Sequence, residues 1–147
     1  MSLHPISSFL RANRELVRGR LHFPRGRIGQ TVRWEDGQEF TIFRQMLRDP
    51  RPGQPLVSGA LFQVRFRVAS MPPRINRVFS LLPIPFFSGL PGFRSKLWLV
   101  DQASGDFMGQ YEWDTVEDAE NYSKSFAMRF MIRRSIPGSV RFEIRSQ

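Results

Sequence analysis

Between residues 60 and 69, Phe62, Val64, Phe66 and Val68 alternate with Gln63, Arg65 and Arg67. A two-residue period places apolar side chains on one face of a strand and, here, cations on the other. Pro72 or Pro73 can then open a helix that gathers Ile75, Val78, Phe79 and Leu82 on one side, and Pro83 must end or kink it. Residues 93–100 read as a second strand, residues 102–105 as a turn, and residues 107–113 as a third strand. Asp114 or Thr115 can cap the next helix, since Glu117 and Asp118 follow at capping-box spacing. Its buried side carries Ala119, Tyr122, Phe126 and Phe130, Pro137-Gly138 stops it, and residues 140–145 alternate again as a last strand. Strand, helix, strand, strand, helix, strand predicts a ferredoxin-like βαββαβ α+β sandwich, with helices on one face of a four-stranded antiparallel sheet and the other face open.

Ahead of this unit, residues 5–19 have the spacing of a short amphipathic helix, with Ser7 or Ser8 as its cap, Phe9, Leu10, Leu16 and Val17 on one face, and Gly19 at its end. A glycine- and arginine-rich connector carrying His22 follows, and then a hairpin around Asp36-Gly37. A two-residue turn pairs Trp34 with Glu39. A three-residue turn with Gly37 in the left-handed conformation pairs Trp34 with Gln38 and Val32 with Phe40, keeping Val32, Trp34, Phe40 and Ile42 on one face, and is preferred for that reason. The run Asp49-Pro50-Arg51-Pro52-Gly53-Gln54-Pro55 breaks the pattern. The expected organisation is therefore a basic helix and β-hairpin extension over residues 1–59 and the ferredoxin-like domain over residues 60–147.

Composition narrows the chemistry. The chain has 147 residues, no cysteine and two histidines, His4 and His22. Thiol nucleophiles, cysteine zinc sites and iron–sulfur ligation are excluded, and a histidine-rich metal site within one chain is not expected. The longest uncharged stretch, residues 78–93, contains Pro83, Pro85 and Pro91 and cannot cross a bilayer as a helix. No secretory leader pattern is visible, so a cytoplasmic protein is expected. The net charge of +9 comes almost wholly from arginine, and only Lys96 and Lys124 are lysines. Residues 1–100 are strongly basic and residues 101–147 mildly acidic. The acid cluster at Glu117, Asp118 and Glu120 fits the first turns of its helix, where the helix dipole favours carboxylates.

Pro91-Gly92-Phe93 followed by Lys96-x-Trp98, and then Gly109-x-Tyr111-x-Trp113 with Ala119 and Tyr122, resembles the small mono-oxygenases of the dimeric α+β barrel group, relatives of the antibiotic-biosynthesis mono-oxygenases. The resemblance covers about residues 60–145. It implies a homodimer whose open sheets pack face to face into a barrel, with a ligand cleft beside each sheet, and oxidation of an aromatic or polyketide-like substrate by oxygen without metal, flavin or other cofactor. Relatives on the same fold degrade haem, isomerise small molecules or only bind, so the fold does not choose among activities. The residue-level likeness is confined to Lys96, Trp98 and Tyr111.

Reaction with oxygen without a cofactor needs an electron-rich anion such as a phenolate or enolate, which fixed positive charge stabilises. Lys96 and Trp98 are the catalytic candidates, because a buried lysine can lose its proton near neutrality and arginine cannot. Arg94 alternates with Lys96 and Trp98, Arg65 and Arg67 offer cations on the first strand, and Tyr111, Trp113 and His22 complete the substrate-binding candidates. The expected ligand is a small aromatic or hydrophobic anion.

Other assignments stand beside these. Tyr111 and Trp113 also suit ordinary packing, Lys96 also suits a pair with Glu112, and His22 also suits the surface. A three-residue turn at Ala103-Ser104-Gly105 leaves Lys96 and Trp98 beside Gln110 and Glu112, whereas a four-residue turn puts Trp98 with Tyr111 and Trp113. A binding protein of the same fold without catalysis is the leading alternative function. An RNA-recognition module shares the element order, but its Lys/Arg-Gly-Phe-Gly-Phe signature is missing and acids surround the place where phosphates would lie, so nucleic acid is not the expected partner.

Overall fold

The computed structural model describes residues 4–55, 57–68, 75, 81 and 83–147. The helix expected between Pro72 or Pro73 and Leu82 lies outside the described residues, apart from Ile75 and Leu81. The described elements, in chain order, are α1 (Pro5–Val17), β1 (Leu21–His22), β2 (Thr31–Arg33), β3 (Glu39–Arg48), β4 (Ala60–Phe66), α2 (Ile84–Phe87), β5 (Phe93–Asp101), β6 (Asp106–Trp113), α3 (Val116–Ser123), α4 (Phe126–Arg134) and β7 (Arg141–Ser146).

The strands form one antiparallel sheet in the order β1-β3-β5-β6-β4-β7, with β2 also paired to β3. Strands β5-β6-β4-β7 are the ferredoxin-like arrangement, in which the first and third strands of the unit lie at the centre. The extension is hydrogen-bonded into this sheet: β3 lies along β5 from Thr41 opposite Val100 to Leu47 opposite Ser95. Its hairpin takes the three-residue turn, with Val32 opposite Phe40, the Trp34 amide donating to the Gln38 carbonyl at 2.8 Å, and Gly37 at φ 88°.

Both faces of β5 are buried. On one, α2, α3 and α4 cover Phe62, Val64, Phe93, Trp98, Tyr111 and Trp113. On the other, Leu97, Leu99 and Met108 pack with Phe40 and Ile42 of the hairpin, flanked by Val32 and Trp34. The second face is thus partly closed by the chain's own N-terminal segment, because the alternation that puts Lys96 and Trp98 under the helices sends Leu97 and Leu99 to the side where β3 can supply apolar neighbours. The remainder, around Leu61, Gln63 and Gln110, is only half-buried.

Two helices depart from the sequence reading. The segment after β6 is broken into α3 and α4, since Ser125 is extended and its hydroxyl accepts the Met128 amide, which starts a new helix. Thr115 caps α3 as expected, accepting the Asp118 amide at 3.1 Å. Helix α1 is capped by His4, with Pro5 in its first turn, so Ser7 and Ser8 fall inside it. Its apolar stripe is not its docked face: Val17 is 87% exposed and Ala12 3%. Contact runs through Ser8 and Ala12, where a small surface lets backbones approach. The Arg11 guanidinium donates to the Gly89 carbonyl at 2.7 Å, and Phe9 meets Phe86 at 5.7 Å between ring centres.

Gly89 is the closest point of that contact, because a β-carbon there would sit 1.8 Å from the Ser8 carbonyl oxygen. The obstacle is helix backbone, which cannot step aside as a side-chain tip can. Gly89→Ala is expected to cost about 1–3 kcal/mol in urea denaturation, whereas Gly26→Ala, with nothing within 4 Å, stays within about 0.5 kcal/mol of wild type. Equal stability of the two variants would mean that α1 does not pack this closely.

Candidate functional site

The turn after β5 decides what shares the helix-covered face. Asp101 pairs with Asp106, leaving a four-residue loop, and Gly105 takes φ 80° there. Lys96 then lies opposite Tyr111 and Trp98 opposite Gly109. A small cavity of about 60 Å³ opens between these residues and the helices, walled also by Phe87, Tyr122 and Phe130. Gly109 contributes by having no side chain: a β-carbon would lie 2.8 Å from the Tyr111 ring, which leans back over that position.

Lys96 is 8% exposed. Its Nζ lies 4.5 Å from each of three ring centres, those of Phe87, Trp98 and Tyr111. No carboxylate among the described residues pairs with it. Glu112, the partner weighed from sequence, points to the other face and accepts from Ser95 and Ser58, each at 2.8 Å. Desolvation holds the Lys96 pKa well below its ordinary value of 10.5, and the Arg44 charge pushes the same way. Arg44 reaches this region because β3 pairs with β5: its guanidinium lies 5.2 Å from the Trp98 ring centre.

Tyr122 donates to the Tyr111 hydroxyl at 2.7 Å, and burial raises the pKa of both phenols, so they remain protonated at any ordinary pH. The Trp98 indole Nε1 is buried with no hydrogen-bond partner among the described residues. The site therefore offers an amine that can exist uncharged, an indole N–H without a partner among the described residues and a phenol pair, inside walls that are apolar except for Arg134. Trp113 lies beyond this group, fully buried and 5.0 Å from Tyr122 between ring centres.

The remaining sequence candidates are elsewhere. Arg94 leaves the Lys96 face because of a bulge between Phe93 and Ser95; it bonds Asp114 and donates to the Pro55 carbonyl at 2.6 Å. Arg65 faces away from the helices, opposite Met108, and bonds Asp36 at 2.7 Å and Gln38 at 2.8 Å above the Trp34 ring. Arg67 pairs with Asp106 at 2.7 Å, and His22 with Asp49 at 3.0 Å on the edge strand β1. Phe87, Phe130 and Arg44 were not among the candidates. Phe87 lies in a proline-rich uncharged run with no period to read, and Arg44 depends on a long-range strand pairing. The aromatics that an RNA-recognition module would display on an open sheet are under helices here, with Tyr111 3% and Trp113 0% exposed, so they cannot stack on bases.

No family model and no curated protein matches the sequence. Solved structures do match in shape. A ferredoxin-fold protein related to antibiotic biosynthesis monooxygenases, from Listeria monocytogenes 4b F2365, superposes with a TM-score of 0.56 at 13% identity over 78% of this chain and 68% of its own. The chain has a ferredoxin-like α+β fold. A heme-degrading enzyme from Listeria monocytogenes gives a TM-score of 0.55 at 16% identity, covering 76% of this chain and 72% of that one. A monooxygenase-like protein from Listeria innocua gives 0.54 at 14%, covering 76% and 65%. Identities this low establish the fold alone. Among the described residues no helix is long and apolar enough to cross a membrane, and no group of three or more histidine and carboxylate side chains could hold a metal ion.

Burying an amine that loses its proton leaves a signature in stability. Unfolded, Lys96 titrates near 10.5; folded, it does so well below that, so between the two the unfolded chain binds the extra proton. Stability from this residue therefore rises with pH across that interval, by at most about 1.4 kcal/mol per unit. Lys96→Met is expected to be more stable than wild type near neutrality, with an advantage that shrinks as pH approaches 10.5. Denaturation of both proteins at several pH values measures the difference, and a pH-independent difference would mean that Lys96 is charged in the folded chain.

Proposed function

We propose that this cavity is the reaction site of a cofactor-independent mono-oxygenase acting on an aromatic or polyketide-like small molecule, with Lys96 as general base and Trp98 as the flat wall that orients the substrate. The observation that carries the reading is the buried Lys96 amine, enclosed by three aromatic rings and without a counter-charge among the described residues. An uncharged amine takes a proton from an acidic phenol or enol. The ammonium that results is stabilised by the ring faces and by the new anion beside it. The anion is electron-rich enough to reduce oxygen. Overall a CH2 group and O2 become a C=O group and water: the carbon loses four electrons, O2 gains them, and one oxygen atom goes to each product.

At about 60 Å³ the cavity holds only the reacting end of such a molecule, since ligand pockets usually span roughly 300–1,000 Å³. A neighbouring recess of about 600 Å³ shares Pro83, Ala127 and Phe130 with it and adds Phe86, Phe126, Arg129 and Arg133. It suits an apolar ring body that carries an acidic group. The cavity lies within one subunit, so the reaction does not depend on the homodimer implied by the sequence resemblance. We place that dimer on the half-buried sheet surface around Leu61, Gln63 and Gln110. The haem chemistry of one structural neighbour is not carried over: His4 caps α1, His22 pairs with Asp49, and the Tyr111 and Tyr122 hydroxyls are bonded to one another.

The test is oxygen uptake with a panel of polycyclic phenols, without added metal or flavin. Turnover is expected in the wild type. Lys96→Met should lower kcat by about 10²–10⁴, and Lys96→Arg should not rescue it, because a guanidinium keeps its proton. Uptake that survives Lys96→Met undiminished would remove Lys96 as the base.

A further inference from the structure

We propose that Lys96 is also a nucleophile, and that the cavity takes an aromatic aldehyde or ketone and holds it as an imine. The inference rests on the reading of Lys96 as an uncharged amine in a ligand site, but not on any reaction with oxygen. Three features lead to it. The Nζ atom is surrounded by the Phe87, Trp98 and Tyr111 rings at 4.5 Å, with no carboxylate partner among the described residues to engage its lone pair or its charge. Lys96 lines a partly open cavity instead of being packed solid, and a neighbouring recess lined by Phe86, Phe126, Arg129 and Arg133 shares Pro83, Ala127 and Phe130 with it. Trp98 lines the same cavity, and its buried indole N–H has no hydrogen-bond partner among the described residues.

The chemistry is that of an amine freed from water. A lysine in an apolar site is a better nucleophile than a solvated one because its lone pair is not tied up by a proton. The nitrogen adds to the carbonyl carbon to give a carbinolamine. Both amine protons then leave with the oxygen as water, forming C=N with no change in oxidation state. The phenols of Tyr111 and Tyr122 stay protonated and do not compete as nucleophiles. No cysteine is present in the sequence, and neither histidine lies at the cavity. A structural lysine gives the opposite expectation: a methionine of similar length would fill the same volume without stripping an amine of water.

The sequence provides its own control, since Lys96 and Lys124 are its only lysines and Lys124 is exposed. The full chain is incubated near neutral pH with benzaldehyde and cyanoborohydride, which converts any imine to a stable benzylamine, and labelled peptides are located by mass spectrometry. Benzylation of Lys96 at least about tenfold faster than of Lys124 is expected. The fast label should vanish in Lys96→Met and persist in Lys124→Met. Labelling of Lys124 as fast as Lys96, or of Lys124 and the N-terminus alone, would overturn the proposal. Oxygen uptake is measured on the same preparations. Uptake without labelling leaves the oxygenase reading standing and removes the imine, whereas labelling without uptake does the reverse.

Discussion

The desolvated amine of Lys96 sits where three aromatic faces converge, and holding it there requires elements from distant parts of the chain. Trp98 is two residues along the same strand, Tyr111 is opposite on β6, and Phe87 descends from α2. Removing an ammonium from water without a carboxylate costs several kcal/mol, and shedding the proton is the cheaper alternative. Ring faces recover part of that cost when the proton returns. The surroundings thus keep the two protonation states closer in energy than solvent or a hydrocarbon core would. That balance suits a group that exchanges a proton or forms a bond in each cycle.

Phe87 can close the cage because α2 is fixed from outside. Helix α1 presses its Ser8 backbone against Gly89, and the Gly89 carbonyl accepts from Arg11. On the other edge, β3 brings Arg44 over Trp98 and seals the far face of β5 with Phe40 and Ile42. The N-terminal segment therefore bears on the site twice, through the helix that steadies α2 and through the strand that supplies a nearby cation. Neither contact lines the cavity, and both set the environment of the Lys96 amine.

Strand periodicity carried much of the fold. Alternation at Phe62, Val64 and Phe66 and the Gly37 turn gave the correct faces and register, because a slip of one residue would have put Trp34 and Phe40 on opposite faces. Where local pattern and tertiary contact disagree, the sequence was a poorer guide. The stripe of Phe9, Leu10, Leu16 and Val17 announces a buried face on α1, yet the helix docks through small residues that permit close backbone approach. One unbroken helix after Thr115 ignored the competing cap at Ser125. Simple alternation also placed Arg94 with Lys96, and the bulge before Ser95 undid it.

The choice of lysine at position 96 matters more in this chain than it would in most, because its other cations are almost all arginines. Arg65, Arg67 and Arg94 are held by Asp36, Asp106 and Asp114, and a guanidinium keeps its charge in any of these settings. Such groups fix strands and loops; they cannot take up a proton or offer a lone pair. An arginine at position 96 would need a counter-ion that the aromatic cage does not provide, and a methionine would fill the space with neither a proton to exchange nor an amine lone pair to offer. Only an amine both tolerates that cage uncharged and remains able to react inside it, so the distinction between a structural and a chemical role for the cavity comes down to one side chain.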